Sequence, residues 1–280
     1  MRFGPVAEYR ASRPRRAAAA LFRGAGQANF SPVILETALA DALYLNWAIP
    51  ATGLPPLPPT LRYDTALDDG TPVGFFSLVL FRQVGLHLRG ASWLGLSYPQ
   101  VNARLYVRDS SGVPSVLLIR QLAPAWVVPV ARAVARQPLS AAILDFPPGG
   151  TAALDGVRRW RIHAGAGFEA TARPGAPPSG APALGDWNAT AVFFRERSRA
   201  YWLRGSSLRR AETEHPGTSV VPMAVETART DWLDVFVPFA PAAGGWGALH
   251  SAFLVPEVRL AFALGRSPEP AVGAQVAAAG

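Results

Sequence analysis

From Gln100 to Val107 the chain alternates without a slip: Gln100, Asn102, Arg104 and Tyr106 are polar or amphipathic, and Val101, Ala103, Leu105 and Val107 are apolar. Successive side chains of a strand point to opposite faces, so this stretch predicts a strand with one apolar and one polar face. Val73 to Arg82 is rich in β-formers behind the Asp68-Asp-Gly70 turn, His87 to Arg89 forms a short piece, and Ser115 to Leu122 follows the Asp109-Ser-Ser-Gly112 turn. Tight turns between closely spaced strands predict antiparallel pairing. Further strands are predicted at Ala141 to Phe146, Gly156 to His163, Gly167 to Arg173, Leu208 to Glu212, Trp232 to Pro238 and Glu257 to Ala263. Pro124 to Arg136 reads as a helix with Pro129 near its first turn. Thr190 to Trp202 reads as a helix leading into a strand. Pro32 to Trp47 is apolar for most of its length: its first half, behind a Ser31 cap, reads as helical, and Ala42 to Trp47 as a buried strand.

Composition sharpens this picture. Half of the 280 residues are hydrophobic and 16% are charged, which describes a folded, core-rich chain. With 27 prolines and 26 glycines, many turns and short strands are expected rather than long helices. The organisation predicted is a basic arm over residues 1–30, one domain over 31–265, and an Ala/Gly/Pro tail over 266–280 without order. The apolar run Ala17 to Phe22 is too short for the core of a signal peptide, and no stretch reaches the length of a membrane span. A cytoplasmic protein is expected.

All of the basic residues behind the +8 net charge are arginine; there is no lysine and no cysteine. Thiolate nucleophiles, disulfides and lysine Schiff bases are thereby excluded for this chain. A P-loop needs a lysine, Gly24-Ala-Gly26 lacks the third glycine of a dinucleotide loop, and no GxSxG elbow occurs. The four histidines are far apart in sequence, so no metal and no cofactor are predicted. Arg158, Arg159 and Arg161 read as a solvated strand face; without interleaved aromatic residues they are a weak signal for nucleic acid.

Leu45-Asn-Trp-Ala-Ile-Pro50, Leu57 to Asp64, Gly74 to Arg82, Gln100 to Val107 and Phe194-Arg-Glu-Arg197 with Tyr201 follow one another in an order that resembles the bacterial domain of unknown function 2071 family, within the acetoacetate decarboxylase-like superfamily. The resemblance runs from about residue 38 to 262 and implies a curved, mostly antiparallel sheet or barrel around a central cavity, with a few flanking helices. It also implies that the polar face of Gln100 to Tyr106 looks into that cavity. True decarboxylases of the superfamily carry a glutamate where Gln100 stands and lysines where Leu139 and Ser140 stand. Leucine and serine cannot form an imine, and a glutamine amide exchanges no proton as a carboxylate does. The Schiff-base activity is lost and the cavity kept.

An inward arginine must meet a carboxylate, water or an anionic ligand, because its uncompensated burial costs several kcal/mol. Arg104 is therefore the expected anion holder, with Gln100 and Asn102 orienting the ligand and Glu196 as its candidate internal partner. Arg120, Arg132, His87 and Tyr106 are further candidate ligand contacts, and Glu196 and His250 the candidate proton carriers. The function expected is the binding of a partly apolar anionic or carbonyl-bearing small molecule, with lyase, isomerase or cyclase chemistry that uses no imine. The alternative is a non-catalytic binding or sensing module. The partner is a small molecule, no membrane is involved, nucleic acid is a weaker reading, and a homo-oligomer is allowed.

Overall fold

The computed structural model describes residues 33–264, apart from 135–136, 138, 148–155, 165, 178–181, 215–218, 229–230, 238, 240–245 and 247. The predicted arm, the Ser31 cap and the tail lie outside these residues.

Four strands form the centre: β1 (Val33–Pro50), β4 (Thr71–Leu88), β5 (Leu96–Asp109) and β6 (Pro114–Ala123). The short β2 (Leu61–Tyr63) and β3 (Ala66–Asp68) pair with β5 and β4. The helix α1 (Val127–Val134) is followed by β7 (Leu139–Ala141), β8 (Ile143–Asp145), β9 (Arg158–Ala164) and β10 (Ala166–Pro174). Then come α2 (Trp187–Arg195), β11 (Arg199–Arg204), β12 (Ser207–Glu214), β13 (Val221–Ala228), α3 (Asp231–Phe236) and β14 (Ser251–Leu264). The sheet runs β1-β4-β5-β6-β11-β12-β14, and β14 pairs again with β1. The β6–β11 and β12–β14 ladders are four residue pairs each, so this is a strongly curved sheet rather than a regular barrel. Its ladders are mostly antiparallel, as expected, and β6 pairs in parallel with β11 and β7.

Two apolar layers sandwich the central strands. On the outer face, Leu43, Leu45, Trp47, Phe76, Leu78 and Leu105 pack against β9, β10 and α3 through Trp160, Ile162, Phe168 and Trp232. On the inner face, Tyr44, Phe75, Val79, Tyr106 and Phe253 pack with Phe194 of α2 and Trp202. A strand buried on both faces reads as an unbroken apolar run. Ala42 to Trp47 is such a run, whereas from Ile34 to Ala40 burial alternates residue by residue, and this first half of Pro32 to Trp47 is a strand here and not the predicted helix. Its ladders to β14 and β4 supply the order that helix propensity would otherwise have set.

Trp232 to Pro238 differs in the opposite sense. It is helical over Asp231–Phe236, with Trp232 and Phe236 stacked one turn apart at 4.2 Å between ring centroids. His87 belongs to the end of β4 rather than to a separate piece.

Four register shifts interrupt the ladders among β1, β4, β5 and β6, and two of them set the inward residues nearest Arg104. In β1 the ladder to β4 slips between Ala40 and Leu43, where Asp41 adopts φ 52°. A bulge flips the parity of everything beyond it. Leu39 thus faces inward before the slip, and Ala42 and Tyr44 after it. In β6 the ladder to β5 slips between the partners of Ala103 and Arg104. Val116 and Leu118 face inward, and Gln121 takes the inward place that strict alternation would have given Arg120.

Candidate functional site

The curved sheet encloses a cavity of about 270 Å³ against its inner face. Alternate residues of β5, namely Leu96, Tyr98, Gln100, Asn102 and Arg104, line it. The polar face of this strand therefore looks into a cavity, while Val101, Ala103, Leu105 and Val107 lie in the outer core.

Arg104 sits at the closed end. Its Nε and Nη2 donate to the Tyr106 hydroxyl at 3.0 and 2.8 Å, and Nη2 donates to the Phe194 carbonyl at 2.8 Å. The guanidinium lies 4.8 Å from the Tyr44 ring centroid and 5.2 Å from that of Tyr106. Burial opposes its charge, but the Tyr106 and Tyr44 oxygens beside it outweigh that and hold its pKa above the usual value. No carboxylate of the described residues forms an ion pair with Arg104. Glu196, its expected partner, pairs instead with Arg195 at 2.7 Å, and its side chain is 50% exposed. Helical phase explains this: Thr190, Ala191 and Phe194 are the buried face of α2, and Glu196 falls off that face.

Arg197 is the inward residue of that motif. It bonds Asp64 at 2.5 Å and the Phe193 carbonyl at 2.7 Å, and its guanidinium lies 5.0 Å from the Tyr106 ring. Asp64 binds Arg108 as well, at 2.8 Å, so this carboxylate ties the end of β5 to the α2–β11 junction. Burial, only partly offset by Asp64, lowers the pKa of Arg197 from its usual value. Tyr106 answers to the same surroundings: burial pushes its phenol up and Arg104 opposes it, leaving it a protonated donor.

Behind Tyr106 runs a chain of buried polar groups. The Tyr106 and Ser77 hydroxyls are 2.9 Å apart, Ser77 donates to Asn46 Oδ1 at 2.5 Å, and Asn46 Nδ2 donates to Ser251 Oγ at 3.1 Å. Because Ser77 donates its only proton to Asn46, it accepts from Tyr106, whose hydroxyl also lies 3.4 Å from the Phe194 carbonyl as a second, longer acceptor. That leaves the phenol lone pairs for Arg104. The chain ends at His250, whose Nδ1 lies 3.3 Å from Ser251 Oγ. His250 packs against Phe75 and Phe194 rather than lining the cavity, and burial lowers its pKa, with Asp68 pulling the other way.

Next to Arg104 along the cavity is a cluster of amides. Asn102 Oδ1 accepts from Gln100 Nε2 at 2.8 Å and from Gln121 Nε2 at 3.2 Å. Gln121 Oε1 is buried with no hydrogen-bond partner among the described residues, an acceptor open to a ligand donor. Tyr98 closes this stretch, its phenol pushed up to about 12 by burial.

The other predicted residues are scattered. His87 lines the cavity further out, donating from Nδ1 to the Gly85 carbonyl at 2.5 Å, with Nε2 3.5 Å from Glu36. Arg120 is turned outward by the β6 register shift and lies over Phe236. Arg132 caps a carbonyl, donating to Leu139 at 3.0 Å. Leu139 itself is buried beneath α1 with Val127 and Ala123. Arg158, predicted on a solvated face, is instead buried and bonds Asp41 at 2.9 Å; Arg159 and Arg161 face out and pair with Glu169.

Sequence reasoning missed Tyr44, Arg197 and Gln121. The polar alternation of Tyr44 and Asn46 points to Tyr44, whereas Arg197 lies past the end of α2, where helical spacing no longer applies. Gln121 depends on a bulge that leaves no mark in composition.

No curated protein matches the chain. Among solved structures, the enduracididine biosynthesis enzyme MppR is similar in fold. With HEPES buffer bound it gives a TM-score of 0.52 at 11% identity, covering 85% of this chain and 88% of that one. Its complex with pyruvate gives 0.50 at 12% identity, over 85% and 91%. An acetoacetate decarboxylase-like enzyme from Sphingomonas wittichii RW1 gives 0.49 at 12% identity, over 84% and 92%. The fold is of the acetoacetate decarboxylase-like kind. The family described as an uncharacterized conserved protein, domain of unknown function 2071, matches residues 36–236, and the chain belongs to it.

Proposed function

We propose that this protein binds a small, partly apolar carboxylate or enolate-forming carbonyl compound in the cavity, with Arg104 as its anion holder. The observation that carries this reading is a charged guanidinium at the closed end of a cavity, aimed by Tyr106 and Phe194, with no carboxylate partner among the described residues. An arginine so placed matches a ligand carboxylate in charge, and the Nη1 protons are the donors its bonds to Tyr106 and Phe194 leave over. Gln100, Asn102 and Gln121 orient the rest of the ligand through amide hydrogen bonds. The complex of MppR with pyruvate supports the class of ligand, a small acid, on a shared fold.

The geometry favours a binding or sensing module over acid–base catalysis. Among the described residues lining the cavity there is no carboxylate, and His87 is the one imidazole. In β4, His87 stands ten residues beyond Ser77, the register partner of Arg104. At about 3.3 Å per residue this is roughly 30 Å along the strand, too far to serve one small molecule held on Arg104. What remains beside Arg104 is electrostatic stabilisation of an anion by a fixed cation.

Thermal unfolding against keto acids, short acyl carboxylates and aromatic acids tests the reading. A ligand at about 100 times its dissociation constant stabilises by ~2.7 kcal/mol. The expected result is a raised melting temperature with at least one acid, lost in Arg104→Gln. No shift with any acid removes the anion site.

A further inference from the structure

The cavity is far longer than a three-carbon acid requires, and its two ends differ in chemistry. From Arg104 to Leu96, every second residue of β5 lines it. Eight residues of strand span about 26 Å. The volume of about 270 Å³ lies near the lower edge of cavities that enclose drug-sized ligands, roughly 300–1,000 Å³. Polar groups concentrate toward Arg104. Beyond Tyr98 the walls are mostly aliphatic: Leu96, Leu86, Leu88 and Leu94 on one side, Val127 and Val130 of α1 on the other.

This far end is the mouth, because Leu88, Leu94 and Val130 line the cavity and are also exposed to solvent, at 44%, 53% and 44%. Trp93 and Trp126 stand exposed in the adjoining segments, and Trp126 meets the ring of the cavity residue Tyr98 edge-on at 6.0 Å. Apolar side chains left in water around a cavity entrance mark a surface built to be covered by an apolar ligand.

We infer that the ligand is an elongated aliphatic carboxylate, its head on Arg104 and its chain running along β5 to leave between Leu94 and Val130. This rests on Arg104 being the anion site. The amides of Gln100, Asn102 and Gln121 meet the first carbons of the chain, where a keto, hydroxyl or amide group would be read. The mostly aliphatic stretch beyond Tyr98 reads chiefly length, with His87 as a polar group in its wall.

The test is calorimetric titration of the full chain with acetate, butyrate, octanoate, dodecanoate and a twenty-carbon monounsaturated acid, below their micellar concentrations. Affinity is expected to rise about fourfold per added methylene, the usual gain for burying a CH₂ group, until the mouth is reached. Val130→Asp and Leu94→Asp, both at half-exposed positions compatible with folding, place a carboxylate in the path of the chain. Each is expected to weaken the twenty-carbon acid at least tenfold and butyrate much less. If butyrate binds through Arg104 and longer acids bind no tighter, the elongated ligand is wrong while the anion site stands. If the twenty-carbon acid binds tightly but ignores both mouth variants, the chain does not run to the mouth and the inference falls. If no carboxylate of any length binds, the anion site and the inference fall together.

Discussion

Tyr106 shows how one side chain can set the direction of several hydrogen bonds. It accepts twice from Arg104 because its own proton is committed to Ser77, which in turn is committed to Asn46. His250 closes the chain, and its buried Nε2 has no hydrogen-bond partner among the described residues. Burial favours the neutral ring, so the folded pKa lies below the ordinary 6.5. As pH falls, the unfolded chain therefore takes up this proton first. The stability contributed by neutral His250 is complete above about pH 6.5 and is lost as pH drops below it. Urea unfolding of the wild type and His250→Phe at about pH 7.5 and about pH 5 tests this, the phenylalanine variant losing less stability between the two. Equal losses would show that His250 is not the titrating group.

At the scale of elements, single carboxylates join segments distant in sequence. Asp64, directly after β2, holds Arg108 of β5 and Arg197 at the end of α2. Asp109 at the end of β5 accepts from Arg199 and Tyr201 of β11 and from the Val113 amide. Burial alone would raise its carboxyl, yet these donors hold it below the ordinary carboxylate value. Both carboxylates sit where the sheet changes from local antiparallel pairing to the parallel β6–β11 contact, which spans only four residue pairs. Asp64→Ala would leave Arg197 buried without this carboxylate, at a cost of about 3–5 kcal/mol. Denaturant unfolding measures it, and a loss under about 1 kcal/mol would show the pair to be dispensable.

Over the whole molecule, the central strands are the shared wall of two cores, one against β9, β10 and α3, the other around the cavity. Leu45 is fully buried in the outer core, on the strand whose next inward residue is Asn46. Leu45→Ala is expected to cost about 2–5 kcal/mol through lost burial and the space left behind. It should leave ligand binding per folded molecule intact, since the inner face is supported separately. Denaturant unfolding together with titration separates the two effects, and a loss of binding at full folding would mean that the two cores are coupled.

How much was legible follows from where the determining forces act. The alternation of Gln100 to Val107 was readable because a strand's period of two is a local property, and it placed Arg104, Gln100 and Asn102 together correctly along one face. The absence of lysine removed imine chemistry from sequence alone, because no fold can supply a side chain that the chain lacks. Three things were settled only in three dimensions. Strand or helix in the first half of β1 depended on ladders to β4 and β14, which outweigh the helix propensity of its alanines and leucines. Arg120 and Gln121 exchanged faces at a bulge, which is a property of the pairing register between two strands and not of either one. The partner of Arg104 proved to be a tyrosine hydroxyl and a helix carbonyl rather than Glu196, because helical phase and packing, not nearness in sequence, determine which neighbour a buried charge meets.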